Sequence, residues 1–152
     1  MLNVKSLIVN ILIPNIVGFV SSILGKVSTE FDKFEKPTWT PPGIVFPIVW
    51  TILYILMGVS SYLIYESNTS YKEDALKVYG INLIINGLWS ILFFRFKAFF
   101  LAFITIIILI VLTLIMIIKY YKINKIAGLL QIPYLLWLVV ALLLSYNVFL
   151  LN

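Results

Sequence analysis

Long uncharged runs alternate with short charged clusters along this chain. The runs are 6–25, 37–65, 78–94, 98–118 and 126–152. Each is of the order of the ~20 residues that a helix needs to cross about 30 Å of hydrocarbon. Apolar residues fall on both alternating faces, which is not the period-two pattern of a membrane β-barrel. The pattern predicts helices over about 3–25, 43–65, 76–95, 98–119 and 124–151, in a single domain covering 1–152. The expected fold class is all-α: a multi-pass integral membrane bundle of five transmembrane helices.

Only one connection is long. Residues 26–42 carry charges of both signs (Lys26, Glu30, Asp32, Lys33, Glu35, Lys36) and then Pro37, Pro41 and Pro42. Each proline removes a backbone donor and keeps the preceding residue out of the helical region, so the loop is expected to be extended and stiff. Helix resumes near Gly43, with Pro47 tolerated in the first turns. A loop of this length in so small a membrane protein is read as a lid, with Pro37, Pro41 and Pro42 holding its shape. By contrast Arg95-Phe96-Lys97 is a tight turn, which makes helices three and four antiparallel neighbours.

Three helices carry polar or aromatic stripes at helical spacing. Helix two has Trp50, Tyr54, Met57 and Ser61; helix three has Asn82, Asn86, Trp89 and Phe93; helix five has Tyr134, Trp137, Ala141 and Ser145. At 1.5 Å per residue, Trp50 and Trp89 lie about 10 Å below the lid side, and Trp137 lies near mid-helix. Asparagines at such depth must bond another helix or a ligand. Asn15, Gly18 and Ser22 give helix one a small-residue face for close packing. Helix four, with only Thr105 and Thr113 as polar interruptions, reads as a lipid-facing or dimer-facing filler. Pro133 is expected to kink helix five. Deep indoles and amides beneath a proline-rich loop predict an apolar cavity with a few polar anchors.

Composition narrows the chemistry. The chain is 62% hydrophobic with a net charge of +5, which suits anionic lipid head groups; no free-standing basic stripe is present for nucleic acid. There is no histidine or cysteine, and all six carboxylates lie in the connections, so no metal site, bound cofactor or nucleophile–base pair is expected. No ionisable group lies within the apolar runs, as a proton- or sodium-coupled transporter would normally require. The first run lacks an Ala-x-Ala-like cleavage site and is read as a retained helix. Six cations on one side against five on the other do not set an orientation. What remains is an aromatic, uncharged cavity suited to a flat hydrophobic ligand.

Three motifs then carry a resemblance. Phe34-x-Lys36-Pro37-x-Trp39-x-Pro41-Pro42, with Phe46-Pro47-x-Val49-Trp50-x-x-Leu53-Tyr54-x-x-Met57-Gly58, resembles the signature of the tryptophan-rich sensory protein family. Its mitochondrial relatives are the translocator proteins, or peripheral benzodiazepine receptors. Asn86-x-x-Trp89-Ser90-x-x-Phe93-Phe94 and Pro133-Tyr134-x-x-Trp137-x-x-x-Ala141 match in order and spacing. The resemblance implies a five-helix bundle in a bacterial cell membrane, usually homodimeric, with a ligand cavity under the first loop. It implies porphyrins such as protoporphyrin IX, benzodiazepine-type compounds and, in animals, cholesterol as ligands. The implied ligand-binding residues are Trp39, Trp50, Tyr54, Asn86, Trp89, Trp137 and Ala141. With no histidine or cysteine to hold iron, a free-base porphyrin is expected rather than haem. The resemblance also implies light- and oxygen-dependent porphyrin degradation as an alternative to a receptor; for that chemistry the deep, readily oxidised indoles of Trp50 and Trp137 are the candidate catalytic residues, and porphyrin or lipid transport is a third reading. Two departures stand out. Ser145 occupies a position where the family often has asparagine, and no Lys or Arg follows Tyr146, against sterol transport.

Overall fold

The computed structural model describes residues 2–152. Its helices are α1 (Val4–Leu24), α2 (Val27–Glu30), α3 (Val45–Tyr65), α4 (Lys72–Ser90), α5 (Phe99–Ile123), α6 (Lys125–Leu130) and α7 (Ile132–Leu151). Five stretches are long and apolar enough to cross a membrane: α1, α3, α4 with the turn after it, α5, and α6 with α7. The protein is a multi-pass, all-helical membrane protein.

Asn3 caps α1 by accepting a bond from the Ser6 N–H at 3.1 Å. The small-residue expectation for α1 holds at Gly18, where an added Cβ would lie 2.2 Å from the Tyr54 ring. Asn15 and Ser22 bond their own helix instead. The tightest approach to backbone is at Gly58 of α3, where a Cβ would sit 2.4 Å from the Ile11 Cα and 2.7 Å from the Asn10 carbonyl oxygen. Pro14 takes the donor that this carbonyl would otherwise meet, so the backbone opens where α3 presses in.

The last helix departs from a simple kink. It breaks at Gln131, before Pro133, and Pro133 occupies the first turn of α7, where its missing N–H costs nothing. The break is filled from α3: Ser60 donates to the Ala127 carbonyl at 2.7 Å, and Gln131 Nε2 donates to Ser60 Oγ at 3.1 Å.

The expectation for α5 holds for one of its faces, where Phe100, Ile108, Val111 and Ile118 are exposed. The other face is not filler: it packs against α4, α6 and α7, burying Ala102, Thr105, Ile106, Leu109, Thr113, Met116 and Tyr120. The most exposed span is α1. A uniformly apolar helix gives no periodic signal to tell a lipid-facing side from a packed one, and that is why the sequence misled.

Candidate ligand-binding site

The lid is only partly extended. Its first half forms α2 and a 3₁₀ turn, Phe31–Lys33; the proline-bearing half is non-helical, with a turn closed by Thr40, whose N–H and hydroxyl both donate to the Pro37 carbonyl. What holds it down is aromatic. Phe31 and Phe34 point inward and meet Phe46, Phe93, Phe94 and Phe99 with ring centroids 5.2–6.3 Å apart. Phe93 and Phe94 are sequence neighbours, yet both are buried beneath the lid. They stand on a π-helical turn, Ile91–Arg95, which widens the end of this span. Arg95 then reaches back and donates to the Leu24 carbonyl at 3.1 Å, satisfying the end of α1.

Two polar ties complete the lid. Lys36 folds over the Phe31 and Phe34 rings and donates to the carbonyls of both residues, at 2.6 and 3.0 Å. Asn152 accepts from the Glu35 N–H at 3.1 Å and donates to the Glu35 carbonyl at 2.8 Å. Glu30 stands 3.5 Å from both Lys33 and Lys97. Partial desolvation pushes its carboxyl up, but the two ammonium groups outweigh that and hold it below the ordinary carboxylate value.

Below the lid, α3 and α7 run antiparallel and touch only sparsely. The contacts they make are aromatic rungs. Phe46 meets Trp137 at 5.8 Å between centroids; one turn deeper Trp50 meets Tyr134 at 6.2 Å. Tyr54 stacks against Trp50 at 5.4 Å, with planes 26° apart. Ala141 is buried one turn above Trp137. Trp50, Tyr54 and Trp137 thus stand along one narrow cleft that these rings span, and Ala141 lies beyond it on the same helix as Trp137.

Behind the cleft a buried hydrogen-bond chain crosses four helices. Tyr54 Oη bonds Asn86 Oδ1 at 2.7 Å; Asn86 Nδ2 bonds Tyr134 Oη at 2.9 Å; Tyr134 Oη bonds Asn82 Oδ1 at 2.7 Å; Asn82 Nδ2 bonds Thr113 Oγ1 at 2.9 Å. Thr113 ends the chain on the Leu109 carbonyl at 2.7 Å. That carbonyl can only accept, so the Thr113 proton is spent there and Thr113 must accept from the Asn82 amide. Asn82 Oδ1 then faces Tyr134, which donates to it and accepts from Asn86, and Tyr54 in turn donates to Asn86. Every link is fixed by the one before.

The four tryptophans divide. Trp89 is buried, and its indole is the one with an acceptor among the described residues, Ser145 Oγ at 3.3 Å. Trp89 is therefore part of the packing between α4 and α7. Trp50 and Trp137 are half-buried along the cleft, and their N–H groups meet no acceptor among the described residues. Trp39 is 47% exposed and joins none of the rings of the cleft. Asn86 stands behind the cleft rather than in it.

The sequence profile of the TspO/MBR family matches residues 10–151. The chain belongs to the TspO/MBR family. It is 33% identical to a protein named tryptophan-rich protein TspO from Archaeoglobus fulgidus, over 99% of each chain. It is 32% identical to the translocator protein of Sus scrofa, covering 90% of this chain and 84% of that one. A tryptophan-rich protein TspO of Bacillus cereus is 31% identical, with 88% of each covered. In this TspO/MBR protein, sequence reasoning missed Thr113, Lys36 and Asn152. Thr113 was legible in principle: it stands six residues before Lys119, and Asn82 stands five after Lys77, so the two lie at similar depth from one side.

Proposed function

We propose that this protein is a membrane receptor that takes a flat apolar ligand of the free-base porphyrin type into the cleft between α3 and α7. The observation that carries this reading is the pair of half-buried indoles, Trp50 and Trp137, with N–H donors that no acceptor among the described residues engages. An indole at this depth in hydrocarbon ordinarily finds a partner. A porphyrin supplies both a π-face for the rings and, at its carboxylate edge, acceptors for the donors. The aromatic lid closes the cleft above, and Tyr54 backs it.

The test is titration of purified protein with protoporphyrin IX in the dark, following the Soret band. Trp50→Phe and Trp137→Phe keep the ring and remove the donor, and each should weaken binding by about 1 kcal/mol. Wild-type protein that leaves the Soret band unshifted would overturn the reading.

The stacked Trp50–Tyr54 pair favours a second reading, since two readily oxidised rings stand in the same cleft. In that reading light and dioxygen consume the bound porphyrin, and the double tryptophan variant should bind the pigment yet fail to bleach it. Wild-type protein that never bleaches porphyrin in light and air would remove it.

A further inference from the structure

The side of the bundle opposite the lid holds a groove that the porphyrin reading does not use. Its volume is about 510 Å³, within the ~300–1,000 Å³ range of small-molecule sites. It runs between α1 and α4, which rise in parallel from the same side of the membrane, and its walls change character with depth. Asn3, Lys5 and Ser6 line the outer end; Val9, Asn10, Ile13, Leu76 and Leu83 line the rest with the Tyr79 ring among them, and Asn10 spends its amide on the Ser6 carbonyl at 2.9 Å. From Lys5 to Ile13 is eight residues of helix, so the groove reaches about 12 Å towards the membrane centre.

Three observations give it an occupant. The first is Gly80, at which an added Cβ would meet nothing within 4 Å. The α4 wall opens there, although every other described span contact at a helical glycine is tight enough to collide. The second is Lys5, the one charged residue among those lining the groove, which has no ion-pair partner among the described residues. The third is a second cation at the mouth: Lys72 Nζ donates to the carbonyl of Tyr65, a lining residue, at 3.0 Å and sits over its ring. Glu66 and Glu73 do not line the groove, and Asp74 is engaged by Lys119. A polar, cationic mouth leading to an uncharged slot, apolar but for Asn10, is the complement of an anionic amphiphile.

We infer that this groove is a site for one anionic phospholipid of the surrounding bilayer, with its phosphate at Lys5 and an acyl chain lying along Val9, Ile13 and Leu83 past Gly80. The lysine gives preference for the charged head group over a zwitterionic one. The open face at Gly80 gives the chain its place. The site lies at the other end of the bundle from the porphyrin cleft, so the two readings stand or fall separately.

The test uses full-length purified protein in mixed micelles containing equal amounts of phosphatidylglycerol and phosphatidylcholine, with retained lipid counted by native mass spectrometry. Wild-type protein should retain one tightly held phosphatidylglycerol, at a preference of about fivefold, the order that one lysine near an anionic head group supplies. Lys5→Gln should bring the two lipids to parity. Gly80→Leu, which fills open space and should melt no lower than wild type, should lose the retained lipid altogether. Soluble glycerol phosphate, which has the head group and no chain, should displace none of it. Parity on wild-type protein, full retention by Gly80→Leu, or displacement by glycerol phosphate would each overturn the assignment. Lys5→Gln reads out on a surface position, so the outcome does not depend on the glycine variant.

Discussion

Trp89 on α4 donates its indole N–H to Ser145 Oγ on α7 across 3.3 Å, with both side chains out of contact with the surroundings. This bond takes the one deep indole that the cleft does not use and spends it on joining two helices. Ser145→Ala leaves a buried donor unsatisfied, at a cost of about 1–2 kcal/mol. Thermal melting in detergent should show that loss, while porphyrin affinity stays at the wild-type value. A selective loss of affinity instead would place Trp89 in the cleft.

Asn86 lies in the middle of the buried chain, taking from Tyr54 and giving to Tyr134. Asn86→Ala breaks two links at once and should lower stability by about 1–2 kcal/mol, near the upper range for polar contacts between membrane helices. A double-mutant cycle with Tyr54→Phe should show strong coupling, because the two variants remove the same bond. Additive effects in that cycle would mean that the bond contributes little.

Gly58 should tolerate no side chain. Its Cβ would fall 2.4 Å from a backbone atom of α1, and backbone cannot swing aside as a side chain can. Gly58→Ala is expected to cost about 2 kcal/mol or more, by separating α1 from α3. Melting curves and expression yield report it; a variant as stable as wild type would contradict the packing described.

The lid should loosen in acid. Glu30 titrates below the ordinary carboxylate value, so its contribution is present at neutral pH and is lost as pH falls through that depressed value. Limited proteolysis across 26–42 should therefore speed up on acidification. Glu30→Gln should be cut faster at neutral pH and lose most of the acid dependence. Lys36→Met should be cut faster throughout, since it removes both donors that tie the loop to the Phe31 and Phe34 carbonyls.

The spans were legible because charge marks their ends: Lys5, Lys26, Glu66, Arg95 and Lys119 each lie within a few residues of a helix boundary. The stripes on α3, α4 and α7 were legible as well, since aromatic and amide groups recur there at helical spacing. Which tryptophan faces the cleft was not. Trp50, Trp89 and Trp137 sit in similar local sequence, and only the neighbouring helix decides whether an indole meets Ser145 or open space. The prolines of the lid announced a stiff loop, but the phenylalanines and Lys36 that seat it act through contacts distant in sequence. Helix four hid its role because Thr113 looks the same facing lipid or facing Asn82.

The arrow of hydrogen bonds that ends on the Leu109 carbonyl has an effect at its other end. Tyr54 has already given its proton to Asn86 and keeps lone pairs alone, whereas the Trp50 and Trp137 indoles have protons alone to offer. In the proposed binding reading, the preference between guests that give and guests that take would thereby be set from α5, a helix that carries none of the cleft's aromatic rings. Thr113→Val removes the anchor and frees both asparagines to turn over. Tyr54 could then give as well as take, and the cleft would admit guests with a carbonyl edge there, although no residue touching them had changed.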